Sequence, residues 1–183
     1  MDKRVYSYTY TPVRKDKGRN ALIISSLLYI CAAVSWGAAI FDIGYRMISQ
    51  VAAAVSLVIG IFISARYSLT DFKYMIQCSE SVYGENTADF TVIKIQGKKS
   101  KTVCRLSLET AVAVIPKIKL SALEAKYGAI ERKFNYRVNL FANDNEIYYY
   151  IFEFNGKYSV IEFEADKAFI GHFKDSFPAS NEI

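Results

Sequence analysis

The chain has 183 residues, a formal net charge of +5 and a hydrophobic content of 52%. This length allows one ordinary domain with a membrane anchor, and the hydrophobic content is above that of an average water-soluble domain. Six basic side chains lie within residues 1–20, whereas the part from Arg66 onward is nearly neutral. The excess charge therefore belongs to a basic cytoplasmic tail over residues 1–20, and no nucleic-acid-binding domain is predicted.

Two uncharged apolar runs follow the tail. As helices, residues 21–41 would extend about 31 Å and residues 48–65 about 27 Å. Both lengths match the hydrocarbon thickness of a bilayer, so the sequence predicts a two-helix transmembrane hairpin over residues 21–65. The alternative is a pair of buried core helices, which two consecutive runs of this length in so small a chain disfavour.

The distribution of basic residues predicts the orientation of the hairpin. Six basic residues precede the first span, and Arg66 and Lys73 follow the second span. Only Arg46 lies in the connection between the spans. Since basic residues stay on the cytoplasmic side, we expect a multi-pass protein of the inner cell membrane with both termini in the cytoplasm. The rival interpretation is a signal peptide cleaved near Gly37, but the first run is longer than a usual signal-peptide core.

Small side chains are frequent in both spans, which predicts close packing of the two helices. They are Ser25, Ser26, Ala32, Ala33, Gly37, Ala38, Ala52, Ala53, Ala54, Ser56 and Gly60. No Asp, Glu, Lys or Arg lies in the middle of either span, which disfavours an ion pathway.

Beyond Arg66 the apolar residues alternate with a period of two, which is typical of strands. The pattern predicts a strand over residues 72–76, a hairpin of residues 89–95 and 102–108, and a strand over 111–115 that ends before Pro116. Residues 121–133 read as a short helix or structured loop, and residues 134–141 as a further strand. Tyr6 to Tyr10 also alternate, and this segment either adds to a sheet edge or lies at the membrane surface.

The C-terminal part gives the clearest hairpin signal, because Asn155-Gly156 separates residues 146–154 from residues 157–163. Residues 165–173 then read as a helix with Phe169, Ile170 and Phe173 on one face. Residues 178–183 are a tail. These elements predict a mainly β domain over residues 66–177, a bent antiparallel sheet or barrel of about seven strands capped by the helix.

Two stretches resemble a known group of proteins. Asp89 to Leu108 looks like the second and third strands of bacterial pleckstrin-homology-like domains attached to two-helix membrane hairpins. The stretch from Phe154 to Ile170, followed by Phe177-Pro178, is similar to the last hairpin and helix of that group. The resemblance covers most of the chain and departs most between Pro116 and Phe134. It implies a fold and a location at the membrane more than an activity.

The most suggestive polar feature is a basic cluster in the predicted hairpin, formed by Lys94, Lys98, Lys99, Lys101 and Arg105. It would contact either anionic lipid headgroups or a partner, and each basic residue contributes about 1 kcal/mol near such a membrane surface. The alternative is a solvated hairpin tip without a ligand.

No residue pattern predicts an enzyme, a metal or a cofactor. Cys31, Cys78 and Cys104 are isolated, and His172 is read as a helix-dipole contact. A P-loop would need glycine at position 92, which is valine. Glu162 and Glu164 are expected to face water. The run Tyr148-Tyr149-Tyr150 puts aromatic rings on both strand faces, one in the core and the other under the helix or in a partner groove.

The sequence therefore predicts a non-enzymatic binding module, held in the bilayer, that recruits or scaffolds a protein partner at the inner face of the membrane. A sensor of anionic lipid or envelope stress that uses the basic hairpin is the alternative. The partner, the biological process and the oligomeric state are left open.

Overall fold

The computed structural model describes residues 4–14, 18–80, 86–118 and 120–176. They form two compact units: one is Arg14–Asp71, and the other combines the segment up to Val13 with the chain from Phe72 onward. The predicted tail over residues 178–183 lies outside the described residues, as do Lys3, Lys15 and Lys17 of the basic tail.

The unit Arg14–Asp71 is a helical hairpin. Helix α1 spans Arg19–Ile40, and helix α2 spans Arg46–Ile63 and is extended by a π-helical turn, Ser64–Ser68. Both helices are long and apolar enough to cross a membrane, and only 17% and 11% of their most apolar stretches are buried. The prediction of two consecutive apolar helices of this length is confirmed.

Small residues form the contact between α1 and α2. The buried positions are spaced so that they follow one face of each helix, and they are Ala21, Ser25, Ala32, Ala39, Ala53 and Gly60. At Gly60 an added Cβ atom would lie 2.8 Å from Cε1 of Tyr29. The Tyr29 hydroxyl lies 3.1 Å from Oγ of Ser64, one turn further along α2. Glycine is therefore required where the Tyr29 ring crosses α2.

Arg14 ties together the two chain segments that lead into and out of the hairpin. Its guanidinium donates to the carbonyl oxygens of Ser68 and Thr70 and forms an ion pair with Asp71. These acceptors follow the end of α2, where helix carbonyls lack partners within the helix. One of the predicted membrane-flanking cations thus has a structural contact in the hairpin unit.

The second unit contains eight strands in the described residues, arranged as two four-stranded sheets. Sheet A consists of β1 (Arg4–Tyr10), β2 (Asp71–Glu80), β3 (Asn86–Gln96) and β4 (Lys99–Ser107), in that order. Sheet B consists of β5 (Ala111–Pro116), β6 (Ile130–Asn135), β7 (Ile147–Phe154) and β8 (Lys157–Glu164), in the order β5-β7-β8-β6. Helix α3 (Leu120–Tyr127) precedes β6, and helix α4 (Lys167–Ser176) follows β8.

The N-terminal segment forms a strand, which decides between the two alternatives for Tyr6 to Tyr10. Strand β1 pairs antiparallel with β2, and Tyr10 lies opposite Tyr74. Since β1 leads into α1 and α2 leads into β2, the two ends of the helical hairpin connect to neighbouring strands of sheet A.

Strand β6 differs most from the sequence prediction. It pairs parallel to β8 and ends at Asn135, so the expectation of a strand over residues 134–141 is wrong for most of that range. The chain turns away because the Asn135 side chain accepts a hydrogen bond from the Arg137 backbone N–H at 3.0 Å. Helix α3 ends just before Gly128, whose φ of +89° suits a helix terminus.

The two sheets and α4 enclose an aromatic core. The Phe90 ring of sheet A lies 5.0 Å from Tyr150, 5.2 Å from Phe163 and 5.2 Å from Phe173 of α4. Phe169, Ile170 and Phe173 are buried together, as the helical pattern predicted. Asn155 and Gly156 both have positive φ in the β7–β8 turn, which a two-residue hairpin of this kind needs.

A Gly60→Leu substitution is expected to destabilise the helical hairpin, because overpacking a tight contact costs about 1–3 kcal/mol. Gly37→Leu is the matched control, since no described atom lies within 4 Å of a Cβ atom at Gly37. Thermal unfolding of the detergent-solubilised protein, followed by circular dichroism, should give a lower Tm for G60L than for G37L. Equal midpoints would contradict this account of the helix contact.

Candidate functional site

The predicted basic cluster lies on the β3–β4 hairpin, and three of its lysines share one face. Lys94 lies directly opposite Lys101. Lys99 lies two residues before Lys101 on β4 and therefore on the same face. Lys98 occupies the two-residue turn. Among the described residues none forms an ion pair with these lysines. This face therefore carries positive charge that the described chain does not neutralise. The direct opposition of two lysines is also unfavourable, because like charges repel each other.

Arg105 is separated from these lysines. It lies opposite Thr91, which is three residues from Lys94 and therefore on the other face of β3. Its Nε and Nη2 atoms donate to Oδ2 of Asp89 at 3.0 and 2.7 Å. The structure thus brings Lys94, Lys99 and Lys101 together, whereas the charge of Arg105 is balanced by Asp89.

Glu162 and Glu164 of β8 are both only 3% exposed, so the expectation that they face water is wrong. The alternation along β8 correctly placed them on one face of the strand. However, residues 133–139 cover that face and supply partners to both carboxylates. Oε2 of Glu162 lies 2.9 Å from Nζ of Lys133, and Oε1 lies 3.4 Å from Nε of Arg137.

Lys133 is held in its charged form. Burial lowers its pKa, but hydrogen bonds to Glu162 and to the Tyr149 hydroxyl outweigh that effect and raise the pKa above the ordinary value. Its Nζ lies 3.2 Å from the Tyr149 oxygen and 5.0 Å from the centre of the Tyr149 ring. A permanently charged lysine paired with a carboxylate suits a structural ion pair better than proton transfer.

Glu164 anchors the chain that follows β6. Its two carboxylate oxygens accept hydrogen bonds from the backbone N–H and the side-chain amide of Asn139 at 2.7 and 2.6 Å. The Asn139 amide also donates to the carbonyl oxygen of Val13 at 3.2 Å. The Tyr74 hydroxyl donates to the Tyr136 carbonyl oxygen at 2.8 Å nearby. These contacts join four segments that are remote in sequence: those of Val13, Tyr74, residues 136–139 and Glu164.

Histidine and cysteine side chains are arranged for packing. The His172 ring stacks on Tyr8 of β1, with ring centres 3.7 Å apart and an interplanar angle of 13°. Burial raises the pKa of the Cys104 thiol to about 11, whereas a nucleophilic cysteine needs a lowered pKa. In the part of the chain that the structure describes, no group of three His, Cys, Asp or Glu side chains could hold a metal ion.

The tyrosine run on β7 packs on both faces of sheet B. Tyr148 and Tyr150 belong to the main core, and Tyr149 packs in a second cluster with Leu123 of α3. The outer face of β7 therefore contacts a helix, but this helix is α3 and not the C-terminal helix of the prediction. Burial also raises the pKa of the Tyr150 hydroxyl, consistent with a role in packing.

A groove of about 250 Å³ opens on sheet B, at the end of the β7–β8 hairpin beside β6. Its floor is Ser159, which lies opposite Phe152 on one side and Arg132 on the other. Serine is smaller than the two side chains that flank it, and this difference in size creates the groove. Ser159 itself is only 5% exposed. The remaining lining residues are Glu131, Phe134, Phe154, Asn155 and Lys157.

Sequence reasoning misses this groove because it assigns residues 121–133 to a helix or loop. The groove depends on β6 lying next to β8, a parallel contact between strands that are distant in sequence. The alternation that begins at Phe134 is the available signal, but it starts too late to include Arg132.

Comparison of the chain with family models, with curated proteins and with solved structures found no match. The pleckstrin-homology-like assignment therefore stays a prediction from sequence.

Glu164→Gln is expected to destabilise the sheet domain, because the amide group that replaces one carboxylate oxygen faces a hydrogen-bond donor of Asn139. Leaving buried polar atoms unpaired costs about 1–3 kcal/mol. The matched control is Glu153→Gln, which makes the same change at an exposed position of β7. Urea unfolding followed by near-UV circular dichroism should show a lower midpoint for E164Q only. Identical midpoints for both variants would show that the Asn139 contact contributes nothing to stability.

Proposed function

We propose that the protein is a non-enzymatic, membrane-anchored module with a pleckstrin-homology-like sheet domain. In this proposal it recruits or scaffolds a protein partner at the inner face of a bacterial cell membrane. The observation that carries the proposal is the apolar surface that α1 and α2 turn outward, away from their mutual contact. Large exposed side chains on this surface include Leu27, Ile30, Val34, Val51, Val58 and Phe62. Hydrocarbon is the environment that suits such a surface.

The connections of the hairpin support a tether for one domain on one side of the bilayer. The chain enters α1 from β1 and leaves α2 into β2, and these strands are hydrogen-bonded neighbours. Two spans return the chain to the side from which it started. The basic residues that flank the hairpin, among them Arg14, Arg19 and Arg66, favour the cytoplasmic side.

A binding role, not a catalytic one, is supported by what the polar side chains contact. Glu162 pairs with Lys133 and Arg137, and Glu164 binds Asn139. These contacts stabilise the domain. Among the described strands, β4 and β6 are each paired with one neighbour only, and edge strands are common docking surfaces for partner segments.

Affinity capture from detergent-solubilised membranes tests the recruiting function. We expect the tagged full-length protein, cross-linked in cells before lysis, to recover the same partner in independent preparations. An unrelated two-span membrane protein with the same tag is the control for nonspecific recovery. Repeated recovery of the protein without any partner would contradict the proposal.

A second candidate is a sensor of anionic lipid or envelope stress. The observation that favours it is the shared face of Lys94, Lys99 and Lys101, which no described carboxylate neutralises. Three such charges would contribute about 3 kcal/mol near an anionic surface. Arg105 adds little to this face, because Asp89 already binds it.

The lipid candidate predicts that the β3–β4 turn approaches anionic lipid. A polarity-sensitive dye is attached at position 98 of the full-length protein, in a variant without the native cysteines, and the protein is placed in nanodiscs. We expect a blue shift with anionic lipid relative to zwitterionic lipid, and loss of the shift in K94E/K99E/K101E. A Glu124→Lys change on α3 is the charge control. Emission that does not depend on lipid charge would remove this candidate.

A further inference from the structure

We infer that the groove beside β6 binds an extended peptide in which a bulky apolar side chain and an acidic side chain are two positions apart and so share one face. The inference rests on the proposed recruiting function and gives the chemistry by which the partner is recognised. It is carried by the position of β6 in sheet B, by the size of the groove and by the charges at its rim.

The first observation is the free edge of β6. The order of sheet B is β5-β7-β8-β6, so among the described strands β6 pairs with β8 alone. The outer edge of β6 from Arg132 to Phe134 can therefore accept a further strand. Arg132 and Phe134 point to the groove side of the sheet, so a strand added to β6 would place alternate side chains over the groove.

The second observation is the size and lining of the groove. A volume of about 250 Å³ is below the range of typical cofactor and drug pockets, about 300–1,000 Å³. It suits one large apolar side chain. Ser159 provides the floor and three phenylalanines provide the walls, of which Phe154 is 68% exposed. Because the Phe154 ring is so exposed, it gains apolar contact when a partner side chain packs against it.

The third observation is the charge at the rim. Nζ of Lys157 lies 3.1 Å from Oε1 of Glu131, so these two charges balance each other. Arg132 is exposed and pairs with no carboxylate among the described residues. Charged side chains on an edge strand oppose indiscriminate strand pairing, so a partner must bring the opposite charge. An acidic side chain can accept two hydrogen bonds from the guanidinium group of Arg132.

These features together select the occupant. Backbone pairing along β6 requires an extended segment, and the groove requires a bulky apolar side chain. Arg132 requires an Asp or Glu on the same face of that segment, two positions from the apolar residue. A lipid headgroup meets the charge requirement alone, because it supplies neither a strand nor a side chain. A peptide segment of a protein partner meets all three.

The test uses full-length protein in nanodiscs and a phage library of random eight-residue peptides. The baits are the wild type, R132E, S159F and K167E. S159F fills the groove, and K167E reverses the charge of an exposed lysine at the start of α4 as the matched control. We expect the wild type and K167E to enrich peptides with an acidic residue two positions from a bulky apolar one. R132E should lose the acidic preference and select a basic residue at that place.

The dissociation constants of the enriched peptides measure how much affinity each variant loses. R132E and S159F should each weaken binding at least about tenfold, as expected for losing a charge-assisted pair or the apolar site. K167E should leave binding within about twofold. Failure to enrich any peptide on the wild type, or the same peptides on R132E, would overturn the inference. R132E changes an exposed side chain, so the test does not depend on whether S159F folds.

Capture from membranes separates this inference from the proposed function. A partner recovered equally well by wild type, R132E and S159F would retain the recruiting function and overturn the groove as its site. Peptide binding that depends on Arg132, with no partner recovered from membranes, would support the groove and contradict recruitment. Recovery of the protein's own chain as the Arg132-dependent partner would overturn the inference in favour of self-association.

Discussion

The apolar surface that α1 and α2 turn away from their mutual contact is the constraint on which the proposed role of the molecule depends. Side chains such as Leu27, Val34 and Val58 point away from the helix contact and are more than half exposed among the described residues. Each large apolar side chain of this kind gains about 1.5–3 kcal/mol when it leaves water. In the proposed placement the bilayer covers the large side chains, and the small residues line the contact between the helices.

The sheet domain has a different source of order. Its aromatic core buries apolar surface between two sheets, and its buried carboxylates determine where the irregular segments lie. Glu164 holds Asn139, and Glu162 holds Lys133 and Arg137. Buried carboxylates with several donors are costly to disrupt, so these contacts fix the chain after β6 in one arrangement. That arrangement positions β6 beside β8 and thereby forms the groove.

Local patterns in the sequence were sufficient for much of the fold. The apolar runs predicted both helices, Asn155-Gly156 predicted the β7–β8 hairpin, and the spacing of Phe169, Ile170 and Phe173 predicted the buried face of α4. In each case the determining contacts lie within a few residues of each other, so periodicity and turn chemistry report them directly.

The features that sequence reasoning missed depend on contacts between remote segments. The parallel pairing of β6 with β8 has no local signal, and without it Glu162 and Glu164 read as solvent-facing residues on an alternating strand. The basic cluster was predicted as one group, but the strand register divides it, because Arg105 lies opposite Thr91 and Lys101 opposite Lys94. Ser159 gained significance only once Phe152 and Arg132 were known to flank it.

Fluorescence of Trp36 tests the central claim most directly. It is the single tryptophan of the chain, lies in α1 and is 56% exposed, so it faces whatever surrounds the helix. The account predicts that lipids brominated in their acyl chains quench this fluorescence in proteoliposomes, whereas aqueous iodide has little effect. Strong quenching by iodide with no response to brominated lipid would contradict the placement of α1 in a bilayer, and with it the membrane-anchored function.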